Sequence, residues 1–398
     1  MATPDKCSFC IKHKDQVVKL IVVDDAAICN ECVDLCSGLL TDPKKNTRKR
    51  DRKFRIPDPK ELYEYLDQFV IGQETAKRAL SVAIVNHYKR ISYDGLDLEL
   101  QKNNIMLLGP TGVGKTLMAR VVAKYLNVPF VIADATTLTE AGYVGDDVDV
   151  LISRLYVAAD GDIDQCQRGI VFLDEVDKIA RKSESNTVSK DVSGEGVQQA
   201  LLKLIEGTRC RINPAGNRRN QSSDSVEIDT RNILFVASGA FVGLSEIIKK
   251  RTAGTTMGFG ANTAIVSTDL APMPDDLVRY GLIPEFVGRF SGTVVLQELD
   301  LDQLRAILIT IKNNLVDQYR WLFQQDGVDL VFDSDSLALI AGRALKSGTG
   351  ARGLQAEIER VLLPHMYDLP RYSRNNILHV VINKDLVNTP MTLLQENT

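Results

Sequence analysis

Eight residues, Gly109, Pro110, Thr111, Gly112, Val113, Gly114, Lys115 and Thr116, restrict the fold of this chain more than any other stretch. They satisfy G-x-x-x-x-G-K-[ST] without a mismatch. The apolar run Ile105 to Leu108 precedes them and reads as a buried strand. Leu117 to Leu126 follows with apolar residues at helical spacing. That strand–loop–helix setting is the one a phosphate-cradling loop needs. Gly112 and Gly114 free the backbone to turn its N–H groups toward phosphate oxygens at a helix N-terminus. Lys115 is expected to reach the β- and γ-phosphates of ATP, and the Thr116 hydroxyl to ligate Mg²⁺.

A second stretch completes the reading. Gly169 to Leu173 is a glycine followed by a continuous apolar run, the pattern of a central parallel strand buried on both faces. It ends in Asp174 and Glu175, at the carboxyl edge where α/β ligands bind. Asp174 is expected to hold Mg²⁺ through water, and Glu175 to orient and deprotonate the attacking water. Asn232 to Ala237 reads as another central strand. Its polar tip, Ser238, is either a γ-phosphate sensor or a simple strand cap.

Cys7-x2-Cys10 and Cys29-x2-Cys32 lie 18 residues apart, the spacing of a four-thiolate Zn²⁺ site. The segment is too short for an adequate apolar core, so the metal is expected to supply its fold. With all four positions filled by protein the site reads as structural. Cys36 and His13 are weaker candidate ligands, and Cys166 and Cys210 read as thiols with no role. The chain has seven cysteines and opens without a basic-then-apolar leader, so the thiols are expected to be reduced and the protein cytoplasmic.

The net charge of -4 and the pI near 5.7 argue against a dominant nucleic-acid surface. No apolar run approaches a membrane span. Residues 43–58 are rich in Lys and Arg between prolines and read as a solvated linker. The next helix is expected to bury Leu62, Tyr63, Leu66 and Phe69. The one after it is expected to bury Ala76, Ala79, Leu80, Val82, Ala83 and Val85. Residues 181–197 read as an exposed insertion rich in serine and glycine, 206–225 as a long polar loop, and 251–265 as a glycine-rich, flexible stretch. Arg289, after a glycine and between apolar residues, is expected to sit in a rigid surround. Beyond Leu299, helices alternate with short β patterns, as in a smaller α+β domain. Arg352 there is either a nucleotide ligand or a helix N-terminal surface residue.

Together these stretches resemble the ClpX family of AAA+ unfoldases. The zinc module, the phosphate loop, Leu173-Asp174-Glu175, Gly142-Tyr143-Val144-Gly145, Ser193-Gly194-Glu195-Gly196, the run Gly281 to Arg289 and Gly350-Ala351-Arg352-Gly353-Leu354 carry the resemblance, which covers nearly the whole chain. It implies an α/β P-loop NTPase, a parallel sheet with helices on both faces, plus a small α+β C-terminal domain and an N-terminal four-cysteine zinc module. The domains would be a zinc module at 1–42, a linker at 43–58, a large ATPase domain at 59–298 and a small domain at 299–398.

The resemblance further implies a homohexamer that hydrolyses ATP, unfolds tagged or misfolded proteins and threads them into a Clp peptidase. Tyr143 and Val144 would form the substrate-gripping pore loop, Val70 and Ile71 would line the adenine pocket, and Arg352 would be the small-domain sensor. Arg289 would be an arginine finger reaching the neighbouring subunit's nucleotide. Met257-Gly258-Phe259 would be the peptidase-docking loop, with Met where the family usually carries Ile. The zinc module would bind adaptor proteins. Asn217-Arg218-Arg219-Asn220 stands where the family has an Arg-Lys-His loop, so positive charge is kept without the histidine. The alternative is a remodelling chaperone of the same type without a peptidase partner.

Overall fold

The structure, a computed structural model, describes residues 4–23, 25–40, 55–93, 100–139, 146–181, 194–212, 225–254, 271–374 and 378–389. Tyr143, Val144, Arg218, Arg219, Ser193, Met257, Gly258 and Phe259 lie outside them. Contacts divide the chain into two units, Met1–Arg55 and Ile56–Thr398.

The first unit is a two-stranded antiparallel hairpin, β1 (Leu20–Val23) and β2 (Ala26–Cys29), followed by helix α1 (Asn30–Leu40). Its described buried apolar residues are only Cys7, Ala27 and Cys29. A fold with so little apolar burial needs another source of stability.

The second unit opens with α2 (Pro59–Asp67) and α3 (Glu74–Ser92). Asp58 caps α2 by accepting from the Lys60 N–H, with Pro59 at the first helical position, where its missing N–H costs nothing. Leu62 and Leu66 are buried as their spacing predicts. On α3 the expected face is partly wrong, since Ala79 and Val82 point outward. The helix instead buries Lys77, Ile84, His87 and Tyr88 beside Ala76, Leu80 and Val85. Tyr88 Oη donates to Arg168 O at 3.0 Å, and His87 Nε2 lies 3.2 Å from Asn232 O. Burial pushes the His87 imidazole down to about 3, which leaves it neutral.

The centre is a five-stranded sheet of β3 (Ile105–Leu108), β4 (Phe130–Asp134), β5 (Ile170–Asp174), β8 (Leu234–Gly239) and β9 (Gly292–Val295). The order is β9-β3-β8-β5-β4 and every pairing is parallel. β3 and β8 are buried at every residue, as the continuous apolar runs require. Met106, Leu108, Val171, Leu173, Phe235 and Ala237 join one core with α5 (Val150–Ala158) and α6 (Glu195–Glu206). Strand alternation turns Ile105, Leu107, Phe172 and Val236 to the opposite face, the side of α4 (Lys115–Leu126).

Residues 206–225 are not loop throughout. β6 (Arg209–Ile212) pairs antiparallel with β7 (Val226–Asp229). Cys210 and Ile212 point inward while Arg209 and Arg211 face solvent, so strict alternation decides the strand despite its charges. Likewise α6 already begins at Glu195, and α7 (Leu244–Gly254) extends past Arg251. After α8 (Pro274–Tyr280) and α9 (Pro284–Gly288) comes the smaller lobe. It holds α10 (Leu301–Ile309), α11 (Leu315–Gln325), β10 (Asp329–Phe332), α12 (Ser334–Lys346), α13 (Ala351–Arg374) and β11 (His379–Ile382). β10 and β11 pair in parallel.

Candidate functional site: a nucleotide cavity and a thiolate cluster

The sheet topology brings the chemistry-bearing segments to one edge. β3 ends in the phosphate loop, β5 ends in Asp174, and β8 between them ends in Ser238 and Gly239. Register sets Ser238 beside Leu107 and Ala237 beside Leu173. A cavity of about 870 Å³ opens there. It is lined by Thr111 to Thr116, Asp174 and Glu175, by Val70 and Ile71, and by Arg352 from the small lobe.

The loop's glycines are dictated by backbone geometry. Gly112 and Gly114 have φ of 76° and 103°, values that side chains other than hydrogen rarely allow. Gly112 has a second constraint: a Cβ there would stand 2.2 Å from Thr349 O of the small lobe. The Ala351 N–H donates to Gly112 O at 3.0 Å, so the turn before α13 rests on the phosphate loop itself. Lys115 Nζ donates to Gly109 O at 2.5 Å and to Pro110 O at 2.7 Å. Burial pushes its amine below the usual lysine range, against the opposing charges of Asp174 and Asp177. A phosphate in the cradle would give this largely buried amine a charge-assisted hydrogen bond in addition to its two carbonyl partners.

Asp174 is held from three sides. Ser238 Oγ donates to its Oδ1 at 2.6 Å, Thr116 Oγ donates to its Oδ2 at 3.3 Å, and the Glu175 N–H donates to Oδ1 at 3.1 Å. A hydroxyl and a carboxylate fixed side by side at the mouth of the phosphate loop form a hard oxygen donor set suited to Mg²⁺. Ser238, fully buried, is thus a partner of Asp174 and more than a strand cap. Glu175 carries φ of 56°, left-handed for a non-glycine residue. Such a conformation persists only where surrounding structure enforces it, and it aims residues at functional sites.

Arg289 does not line this cavity. Its backbone is fixed, with the N–H bonded to Phe286 O and the carbonyl accepting from Asn104 Nδ2. Its guanidinium is half exposed and pairs with Glu206 at the end of α6, 2.6 Å away. The rigid surround therefore belongs to the backbone and not to the side chain. Val70 is positioned by Lys77, whose fully buried amine donates to Val70 O and pairs with Asp67 and Glu74. Reading the motifs alone missed Asp177, Lys312 and Gln318, which also line the cavity. Of these only Asp177 carried a signal, its place three residues past Asp174.

In the first unit the four thiols of Cys7, Cys10, Cys29 and Cys32 lie within 4.8 Å of one another. Cys7 and Cys32 sulfurs are 3.9 Å apart, and those of Cys10 and Cys29 are 3.6 Å apart. A tetrahedron with Zn–S of about 2.3 Å has edges of about 3.8 Å, so the cluster fits zinc. The distances are far too long for disulfides. Cys7 Sγ also accepts from the Cys29 N–H at 3.3 Å, the kind of outer contact that steadies a thiolate ligand. Cys36 and His13 stand outside the cluster; the latter pairs with Asp15. Cys166 and Cys210 are buried in the second unit.

Comparison with known proteins decides the family. The ClpX C4-type zinc finger matches residues 5–42, the AAA domain (Cdc48 subfamily) matches 100–293, and the C-terminal D2-small domain of ClpB protein matches 299–376. A Treponema denticola protein called ATP-dependent Clp protease ATP-binding subunit ClpX is 48% identical over 392 residues. The alignment covers 96% of this chain and 93% of that protein. This chain belongs to the ClpX family. Its ClpX-type zinc finger, AAA domain and small domain follow one another in the order that the fold displays. No helix among the described residues is long and apolar enough to cross a membrane.

Proposed function

We propose that this ClpX-family chain is the ATP-hydrolysing, protein-unfolding subunit of a Clp protease, assembled as a cytoplasmic homohexamer. The observation that carries the reading is the cavity in which the phosphate loop, Asp174 and Glu175 meet Arg352 of the small lobe. A nucleotide there touches both lobes, so its hydrolysis can change the angle between them. The name of the Treponema relative supplies the partner class.

In this reading the division is a zinc module at 1–42, a linker at 43–58, a large domain at 59–298 and a small domain at 299–398. Gly109 to Gly114 and Lys115 hold the phosphates, and Val70 and Ile71 flank the adenine. Thr116 and Asp174 hold Mg²⁺, which neutralises charge on the transferred phosphoryl group. Glu175 takes the proton of the attacking water. Arg289 reaches the neighbour's nucleotide across a heterologous ring interface, and Arg352 reports the phosphate state to the small lobe. Tyr143 and Val144 grip the translocating polypeptide; an aromatic body wedges against any peptide regardless of sequence. Met257-Gly258-Phe259 docks on the peptidase, and Met fills an apolar cleft much as Ile does. Cys7, Cys10, Cys29 and Cys32 hold a structural Zn²⁺ in a module that receives adaptors.

The test is degradation of a tagged fluorescent protein by the full chain, with and without the Clp peptidase of the same organism. Loss of fluorescence that requires ATP, and fragments that require the peptidase, are expected. Unfolding with no peptidase association at micromolar concentration would favour the peptidase-free remodeller.

A further inference from the structure

α6 is a rod with a contact at each end. Near its start, Gln198 is completely buried and uses both ends of its amide. Nε2 donates to Ile179 O at 2.8 Å, and Oε1 accepts from the Ile283 N–H at 2.8 Å. The partners fix the amide's orientation, because a carbonyl needs the NH₂ end and an N–H needs the oxygen. At the far end of α6, Glu206 pairs with Arg289.

The two segments joined by Gln198 belong to different catalytic parts. Ile179 closes the 3-10 turn Val176–Ile179, which begins directly after Glu175. Ile283 is the residue before α9, and Arg289 directly follows the last residue of α9, Gly288. The same segments meet once more, where the Arg181 N–H donates to Gly281 O at 2.9 Å. Gly281, at φ of 121°, has no space for a side chain, since a Cβ would stand 2.4 Å from Arg181 O. The turn that follows Glu175 and the segment that leads through α9 to Arg289 are therefore laced together by a backbone bond and by one buried amide.

We propose that Gln198 is a positioning residue that couples each subunit's own hydrolytic centre to the arginine it presents outward. A shift of the turn after Glu175 displaces Ile179 O and, through the amide, Ile283 and the start of α9. Arg289 then moves with it. A buried amide with both ends satisfied rigidifies what it joins, so a displacement on one side reaches the other. The inference rests on the reading of Arg289 as a finger directed at the neighbour.

The experiment is a double-mutant cycle on the full-length chain assembled with nucleotide. Turnover and fluorescent-ADP affinity are measured for wild type, R289A, Q198M and the double variant. Methionine keeps the volume of the side chain and removes both bonds. We expect Q198M to lower kcat about 10- to 100-fold, as small misplacements of catalytic groups do, with ADP affinity little changed. In the R289A background the same substitution is expected to cost much less, because coupled groups are non-additive. Equal fold-losses in both backgrounds, or wild-type turnover in Q198M, overturn the coupling. R289A with undiminished turnover sinks the finger reading, whatever Q198M does. Q198N, which reaches one partner at a time, repeats the cycle. If neither variant assembles, the amide is a folding residue and the coupling role falls.

Discussion

Arg289 is tied to Glu206 of its own chain, at 2.6 Å, on a surface away from the cavity that its own chain provides. A half-exposed pair of this kind adds little to stability, about 0–1 kcal/mol; in the proposed reading it aims the guanidinium. We expect R289A to reduce ATP turnover by about 10³-fold or more, the scale of arginine fingers in related phosphoryl transfer. E206Q should lower kcat only several-fold and leave the melting temperature unchanged. Steady-state ATPase assays and thermal melts check both, and a drop in melting temperature in E206Q would make the pair structural.

Glu175 and Ser238 should separate cleanly in kinetics. E175Q should keep nucleotide binding and lose about 10²–10⁴-fold in turnover, because the water loses its base while the cradle stays intact. S238A removes the hydroxyl that donates to Asp174 at 2.6 Å. A hydrogen bond to a charged group contributes about 1.5–3 kcal/mol, so the Mg²⁺ concentration for half-maximal turnover should rise about tenfold or more. Titration of ATPase activity against Mg²⁺ reads this directly; an unchanged midpoint would detach Ser238 from the metal site.

Zinc should be stoichiometric at one ion per chain. Chelation should unfold the first unit, whose described apolar core is two thiols and an alanine, while the second unit keeps its own core. Metal analysis of reduced protein, with circular dichroism before and after chelation, tests this. Absence of zinc in freshly purified protein removes the site.

Lys102 predicts a pH dependence of stability. Burial, and after it the Arg90 charge, push its amine down to about 7, whereas the unfolded chain restores an ordinary lysine value near 10.4. Between those values the unfolded state binds more protons, so this group's contribution to stability rises with pH from about 7 to about 10. K102M should flatten that slope. Denaturant midpoints for both proteins across this range check it, and parallel slopes would contradict the shift.

How much could be read from the sequence follows from where each constraint resides. The phosphate loop was legible because its glycines answer a local backbone demand at fixed spacing. β5 and β8 were legible because burial on both faces leaves an unbroken apolar run, residues 170–173 and 234–237, before the polar tip of each strand. The buried side of α3 was misjudged at Ala79 and Val82, since burial there includes Lys77, His87 and Tyr88, which bond to the carbonyls of Val70, Asn232 and Arg168 outside the helix. β6 was hidden by Arg209 and Arg211 on its open face. Gln198 carried no signal at all. Its significance depends on Ile179 and Ile283, one before it and one far after it in the chain.

The seam between Gly112 and the turn at Thr349–Ala351 makes the phosphate loop a poor part to transplant. Moved with only its strand and helix into another scaffold, it would lose the N–H that caps Gly112 O and the backbone packed where a Cβ would go. The smallest portable nucleotide-binding fragment of this chain therefore includes the start of α13. A chain split between the lobes should regain tight nucleotide binding only when the two halves are recombined.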